Sequence, residues 1–204
     1  SYTSSVFAFE EFKINDPFKI QTALRFDYNK FSTDSYFDKN SGDTTSLNRD
    51  IPAFSQSIEA VWTPIEDYSF NLSFSHTERA PSGQELFANG PHIATDAFEI
   101  GDTDLDNERS VGVDLTATKD SGIIQGSASV FYNNFQNYIG LNPADDFIDD
   151  LRVFNFEGQK AEFFGTNSTI SYYLLEEENN ELYVDFQTDY TRARDKETGD
   201  PLPR

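Results

Sequence analysis

The chain has no cysteine, no methionine and a single tryptophan. Without cysteine there is no disulfide scaffold, thiol nucleophile, zinc ribbon or iron–sulfur site. Cations are scarce: 15 Lys and Arg face 36 Asp and Glu, a formal charge of −21. Nucleic-acid binding needs clustered cations to neutralise phosphates, so nucleic acid is not an expected partner. Long apolar runs are missing too. The longest, Val6 to Phe9 and Tyr172 to Leu175, cover four residues each, against the roughly 20 that a membrane-crossing helix needs. No basic and apolar leader opens the sequence, and the proline-punctuated Gly199-Asp200-Pro201-Leu202-Pro203-Arg204 closes it, so the chain reads as an excerpt of something longer.

Signatures of catalysis are likewise lacking. There is no Gly-x-Ser-x-Gly elbow, no glycine-rich phosphate cradle and no His-Glu-x-x-His pair. Paired carboxylates are so common in this acidic chain that they carry no information about general acid–base work. The sequence does not read as an enzyme.

What the chain does have is rings and alternation. Aromatics make up 15% of residues, with 20 Phe and 10 Tyr, although the hydrophobic share is only 37%. From 18 to 29 the even positions Phe18, Ile20, Thr22, Leu24, Phe26 and Tyr28 face away from Lys19, Gln21, Ala23, Arg25, Asp27 and Asn29. The same period of two recurs at 68–77, at 110–118 and at 182–191, more weakly at 54–63, 123–138 and 161–175, and poorly at 3–14. These are about eight strands, with no convincing helix.

Short turn-like links at Asn15-Asp16-Pro17, 64–67, 120–122 and 178–180 alternate with long polar stretches at 33–53, 78–109 and 139–160. Short turns at one end and long loops at the other is the layout of an outer-membrane barrel. Strands of about 12 residues favour that reading over the 5–6 residues usual in soluble sheets. The fold class is therefore all-β, an antiparallel transmembrane β-barrel segment. Tyr28, Phe31, Trp62, Tyr68, Tyr132, Tyr172 and Tyr190 would then form two interfacial girdles. Two alternatives stay open on pattern alone: a secreted all-β binding or adhesion module with acidic cation-binding loops, and a complete eight-stranded barrel.

The stretch from Ser73 to Leu115 carries Arg79-Ala80-Pro81, Glu85-Leu86-Phe87, Gly90-Pro91-His92, Gly101-Asp102-Thr103-Asp104-Leu105 and Glu108-Arg109-Ser110. Together with Phe131-Tyr132-Asn133-Asn134-Phe135 and Ala161-Glu162-Phe163-Phe164-Gly165, it resembles the barrel of TonB-dependent outer-membrane receptors, over most of the chain. Asp102 stands where that family more often has Asn. Residues 90–101 resemble the zinc-importing branch. The resemblance implies residues 1–204 to be part of a receptor barrel in the outer membrane of a Gram-negative bacterium. The plug and the segment that contacts the TonB energy-transducing complex are not in this stretch. It further implies contact with outer-membrane lipid and lipopolysaccharide, and energy-coupled import of a scarce nutrient, a metal ion or metal chelate with zinc favoured. No resident cofactor is implied; zinc or another divalent metal would be cargo.

The histidines number two. His76 lies at the outer end of an apolar strand face, which suits an interfacial role. His92 lies in the stretch 78–109 among Asp96, Glu99, Asp102, Asp104 and Asp106, and imidazole with carboxylate oxygens suits zinc and related ions. His92, Asp96 and Glu99 are the candidate metal ligands. A packing role for His92, with Gly90-Pro91 forming a turn, competes with that assignment. The acidic run from Asp96 to Glu108 reads most simply as a solvated loop, or one bridged to lipopolysaccharide by divalent ions, and it lacks the Gly and Glu spacing of an EF-hand.

Overall fold

A computed structural model of the chain describes residues 1–37, 44–93, 96–177 and 180–202. Long strands dominate it: β1 (Tyr2–Asn15), β2 (Phe18–Phe37), β3 (Thr44–Ile65) and β4 (Tyr68–Arg79), and, after an insertion, β7 (Glu108–Lys119), β8 (Ile124–Ile148), β9 (Leu151–Glu177) and β10 (Asn180–Asp195). The insertion holds α1 (Gly83–Phe87), β5 (Asn89–His92) and β6 (Ala97–Ile100). Each long strand pairs antiparallel with the next, in the order β1-β2-β3-β4-β7-β8-β9-β10. All eight strands expected from alternation are present.

The register turns the alternation of single strands into two continuous surfaces. One row runs Phe12–Ile20–Ala60–Leu72–Leu115–Val130–Thr166–Tyr190 across every long strand. The next row, on the opposite face, runs Glu11–Gln21–Glu59–Ser73–Asp114–Phe131–Gly165–Thr191. The first row starts near the short-turn end of β1 and reaches the far end of β10, as it does when strands tilt in a barrel wall. On β2 the apolar face extends from Phe18 to Tyr28, ten steps of about 3.3 Å that a tilt near 40° projects to about 25 Å of bilayer. Leu24, Phe26, Ile58, Phe74, Leu115 and Phe186 on this face are exposed, and among the described residues all strands belong to one sheet, so no second sheet covers them. A sandwich would bury them, so the soluble two-sheet alternative fails and the apolar face is the lipid face.

On the inner face Gly165 accommodates a ring. A Cβ there would lie 2.7 Å from Phe131 Cζ and 2.2 Å from the Tyr190 carbonyl, so only glycine lets Phe131 lie over the β9 backbone. Among the described residues β1 pairs with β2 alone, and β10 pairs with β9 while its other edge meets only the returning segment 200–202, through the Arg194–Pro201 bridge. The sheet is a wall segment of a larger barrel and not a closed eight-stranded one.

Three sequence expectations change. The stretches 33–53 and 139–160 are not mainly loops, because β2–β3 and β8–β9 continue as ladders beyond the apolar band. Outside lipid, a ladder needs no apolar face, so alternation fades while pairing persists. The β8–β9 hairpin closes on Asp149 and Asp150, both at positive φ (50° and 65°), a mirror-image turn that Asp tolerates. Phe31 belongs to no girdle: it is 7% exposed and packs with Ile51, Leu86, Leu105, Ile139 and Phe156, because its odd position puts it on the opposite face of β2 from Tyr28. Gly90-Pro91 is not a turn but part of β5, at the end of the sheet order, where the missing proline N–H removes no central ladder bond. The short link 178–180 and the acidic Glu178 fall largely outside the described residues.

Candidate functional site

The insertion between β4 and β7 is folded onto the rim at the long-loop end. Arg79, the last residue of β4, places Nη1 2.9 Å from Glu85 Oε2 and Nη2 3.0 Å from Glu85 Oε1, and donates to both oxygens of Glu108 at 3.3 and 3.2 Å. One guanidinium thus ties the end of β4, the helix α1 and the start of β7, the fork geometry at which arginine excels. Burial alone would raise the Glu85 carboxyl; the hydrogen bonds from Arg79 and from the Ser82 amide outweigh it and hold the carboxyl below the usual Glu range.

Ser82 and Glu85 form a capping box. The Glu85 amide donates to Ser82 Oγ at 3.2 Å and the Ser82 amide to Glu85 Oε2 at 2.6 Å. Five residues cannot hold a helix by propensity; α1 is held by Leu86, 1% exposed in the rim cluster. Its far end is closed by the returning chain, as the Gly101 amide donates to the Ala88 carbonyl at 2.7 Å and the Asp102 amide to the Glu85 carbonyl at 2.9 Å. A Cβ on Gly101 would meet the Leu86–Ala88 backbone at 2.7 Å, so glycine is required for this approach. The return is then stitched to β3. Arg49 donates to the carbonyls of Thr103 and Leu105, and Asn107 Nδ2 donates to the Pro52 carbonyl at 2.6 Å.

On this base stands the β5–β6 hairpin, whose β6 strand also pairs in parallel with residues 152–155 of β9. Glu99 on β6 is 4% exposed. His92 Nδ1 lies 2.6 Å from Glu99 Oε1, and Gln84 Nε2 of α1 donates to Glu99 Oε2 at 2.8 Å. A buried carboxylate therefore sits between an imidazole and an amide from three different elements, while the His92 side chain stays 46% exposed. Asp96, the third candidate ligand, is exposed at the end of the hairpin turn with φ 52°. The fold brings His92 and Glu99 together; among the described residues no group of three His, Asp or Glu side chains is placed to hold a metal ion.

The acidic run 96–108 is only partly a solvated face. Glu99 is buried, Glu108 is paired with Arg79, and Asp102 Oδ1 accepts from the Asp104 amide at 2.9 Å. His76 faces outward between Gln56 and Val111, as expected for the outer end of β4, with Nε2 3.7 Å from Glu78 Oε1. Gln84, Arg79 and Arg49 were not singled out as functional from sequence, although Ser82-Gly83-Gln84-Glu85 is a readable capping signal. The partners of Arg49 lie more than fifty residues away, so no local pattern announces it.

A family model described as "TonB dependent receptor-like, beta-barrel" matches residues 1–204. Among solved structures, the copper transporter OprC superimposes with a TM-score of 0.78 at 16% identity, over 98% of this chain and 31% of that one. The siderophore receptor PirA from Acinetobacter baumannii gives 0.60 at 17% identity, over 98% and 29%. The FrpB iron transporter (F3-3 variant) from Neisseria meningitidis gives 0.59 at 18%, over 95% and 26%. The chain thus spans about a third or less of the length of the structures it matches. With eight tilted strands, an apolar outer face and a match along its whole length, the chain belongs to the TonB-dependent receptor family, as part of the β-barrel.

Proposed function

We propose that the protein containing this chain is an energy-coupled outer-membrane importer of a transition-metal ion or its chelate, with zinc the first cargo to test. The observation that carries this reading is the family match over every residue of the chain. Support also comes from the similar structures, which include a copper transporter, an iron transporter and a siderophore receptor. The contact with the TonB complex and the plug would lie in other parts of the protein.

His92 and Glu99 give the proposal its chemistry. A carboxylate on one ring nitrogen fixes the tautomer and orientation of an imidazole that binds metal through the other. Glu99 takes Nδ1, so a metal bond at His92 would form at Nε2, with Glu99 as the orienting group and Gln84 steadying Glu99. Nitrogen and oxygen donors of this kind suit Zn²⁺ and Cu²⁺.

The test is uptake of radiolabelled zinc by cells that depend on the intact receptor, with copper and a ferric chelate run in parallel. His92→Ala is expected to lower zinc uptake at limiting metal by about tenfold, the value of one good ligand interaction, while the receptor still fractionates with the outer membrane. Unchanged zinc uptake retires His92 as a ligand, and uptake of another cargo alone retires zinc.

A further inference from the structure

The inner face of the wall is uneven in charge. From the Arg79 clamp down to the short-turn end, each inward cation has an acidic partner. Lys13 lies 2.8 Å from Asp16, Lys19 3.5 Å from Glu11, Arg25 2.8 Å from Asp27 and Arg79 2.9 Å from Glu85. The inward acids are not matched in return. Glu59 on β3, Asp114 on β7, and Asp185 and Asp189 on β10 all point inward by register, and among the described residues none of them has an ion-pair partner. Below Arg79, the described inward positions of β4, β7, β8, β9 and β10 hold no lysine or arginine. Apart from the rings of Phe131, Phe135 and Phe163, they are mostly Ser, Thr, Asn and Gln.

Neutral groups hold three of these acids in place. Asn71 Nδ2 donates to Glu59 at 2.7 Å, Thr116 Oγ1 to Asp114 at 2.9 Å and Ser171 Oγ to Asp185 at 2.6 Å. An amide or hydroxyl orients a carboxylate and brings no positive charge to offset it. The acids are also too far apart to chelate one ion. Glu59 and Asp114 face the lumen from either side of β4, two strand spacings or about 10 Å apart, and β10 stands three spacings, about 14 Å, from β7. Such gaps are close to the Debye length of about 10 Å at 0.1 M salt. Their fields therefore overlap in the interior, and charges of one sign along a low-dielectric wall act together on a passing ion.

We infer that this wall discriminates cargo by charge, favouring a free metal cation and opposing a chelate of net negative charge. The inference rests on the importer reading above and narrows its cargo. Glu59, Asp114, Asp185 and Asp189 act through their field and are specificity-determining residues, not ligands. The nitrogen and oxygen donors of His92 and Glu99 stand at the mouth, and the four acids keep the potential negative along the wall below them. Acidic side chains lining a pore select cations in this way, and substitutions on the lumen face of a barrel tune selectivity without disturbing the lipid face.

The test uses the intact receptor in cells without other uptake routes, given either radiolabelled free zinc or ferric citrate, a chelate of net negative charge. Wild-type cells are expected to take up zinc faster than the chelate, and added salt should slow zinc entry. Glu59→Gln, Asp114→Asn, Asp185→Asn and Asp189→Asn combined should lower zinc uptake at limiting metal by about three- to tenfold and leave chelate uptake unchanged or raised. Asp114→Glu should retain the wild-type ratio. Unchanged zinc uptake in the combined variant overturns the inference. So does an equal fall for both cargoes, the result expected if the acids instead seat a basic face of the plug. If the combined variant does not reach the outer membrane, Asp189→Asn and Asp189→Lys at the exposed β10 position decide: zinc uptake should fall stepwise, and no change overturns the inference. Wild-type import of the anionic chelate alone overturns the charge preference and leaves the importer reading standing. Import of neither cargo above cells lacking the receptor overturns the importer reading itself.

Discussion

Arg79 and Glu85 show how much of the insertion depends on single groups. The guanidinium lies between two carboxylates, and Glu85 serves both it and the capping box. Its carboxyl is held below the ordinary range, so the clamp is at full strength above the unfolded Glu value of about 4.3 and is lost as pH falls through the lower folded value. Glu85→Gln keeps an acceptor for the Ser82 amide but removes the charge. Because Arg79 is partly solvated, the loss should be about 1–2 kcal/mol of local stability. In the intact receptor this is read as roughly tenfold faster amide exchange at residues 86–88 at neutral pH, with the barrel strands unaffected. Acidification of the wild type should reproduce the change, and exchange indifferent to both would refute the clamp.

At the scale of elements, alternation decides which substitutions the wall tolerates. Leu72 lies in the outward row and Ser73, its neighbour on β4, in the inward one. Leu72→Arg places a cation against hydrocarbon and should cost about 2–4 kcal/mol, whereas Ser73→Arg projects into a wet interior and should be nearly neutral. Urea unfolding of the intact receptor in vesicles separates the two; equal effects would mean the faces are assigned wrongly. Helix α1 and the β5–β6 hairpin obey a different logic. Neither is long enough to be stable alone, and each exists because Leu86, Gly101 and the parallel pairing with β9 give it a place. That is why the strands of the wall were legible in the sequence and these small elements were not.

For the molecule as a whole, the two outer strands matter most. Among the described residues β1 leaves one edge without a partner, and β10 leaves one edge open except where 193–195 meet the returning segment 200–202, and unpaired edges in an apolar wall invite association. The 204 residues expressed alone in detergent should therefore form mixed oligomers and not a compact monomer. Gel mobility that shifts on boiling, from a monodisperse species, would contradict this expectation. The −21 charge also resolves into places at this scale. Acids dominate the insertion and the β8–β9 hairpin, while four of the cations gather on the outward corner of β9 and β10.

The sequence by itself determined the strand faces, because a period of two is local and lipid on one side enforces it residue by residue. It also carried the family resemblance, and it marked His92 and Glu99 as donors of the right kind. Only the tertiary structure decided that these two meet at 2.6 Å while Asp96 sits in the turn, that Phe31 is buried under α1, and that Arg49 holds carbonyls more than fifty residues away. Those outcomes depend on how tilted strands set their register and on where an insertion folds back. Both are fixed by contacts between distant parts of the chain, which no local pattern encodes.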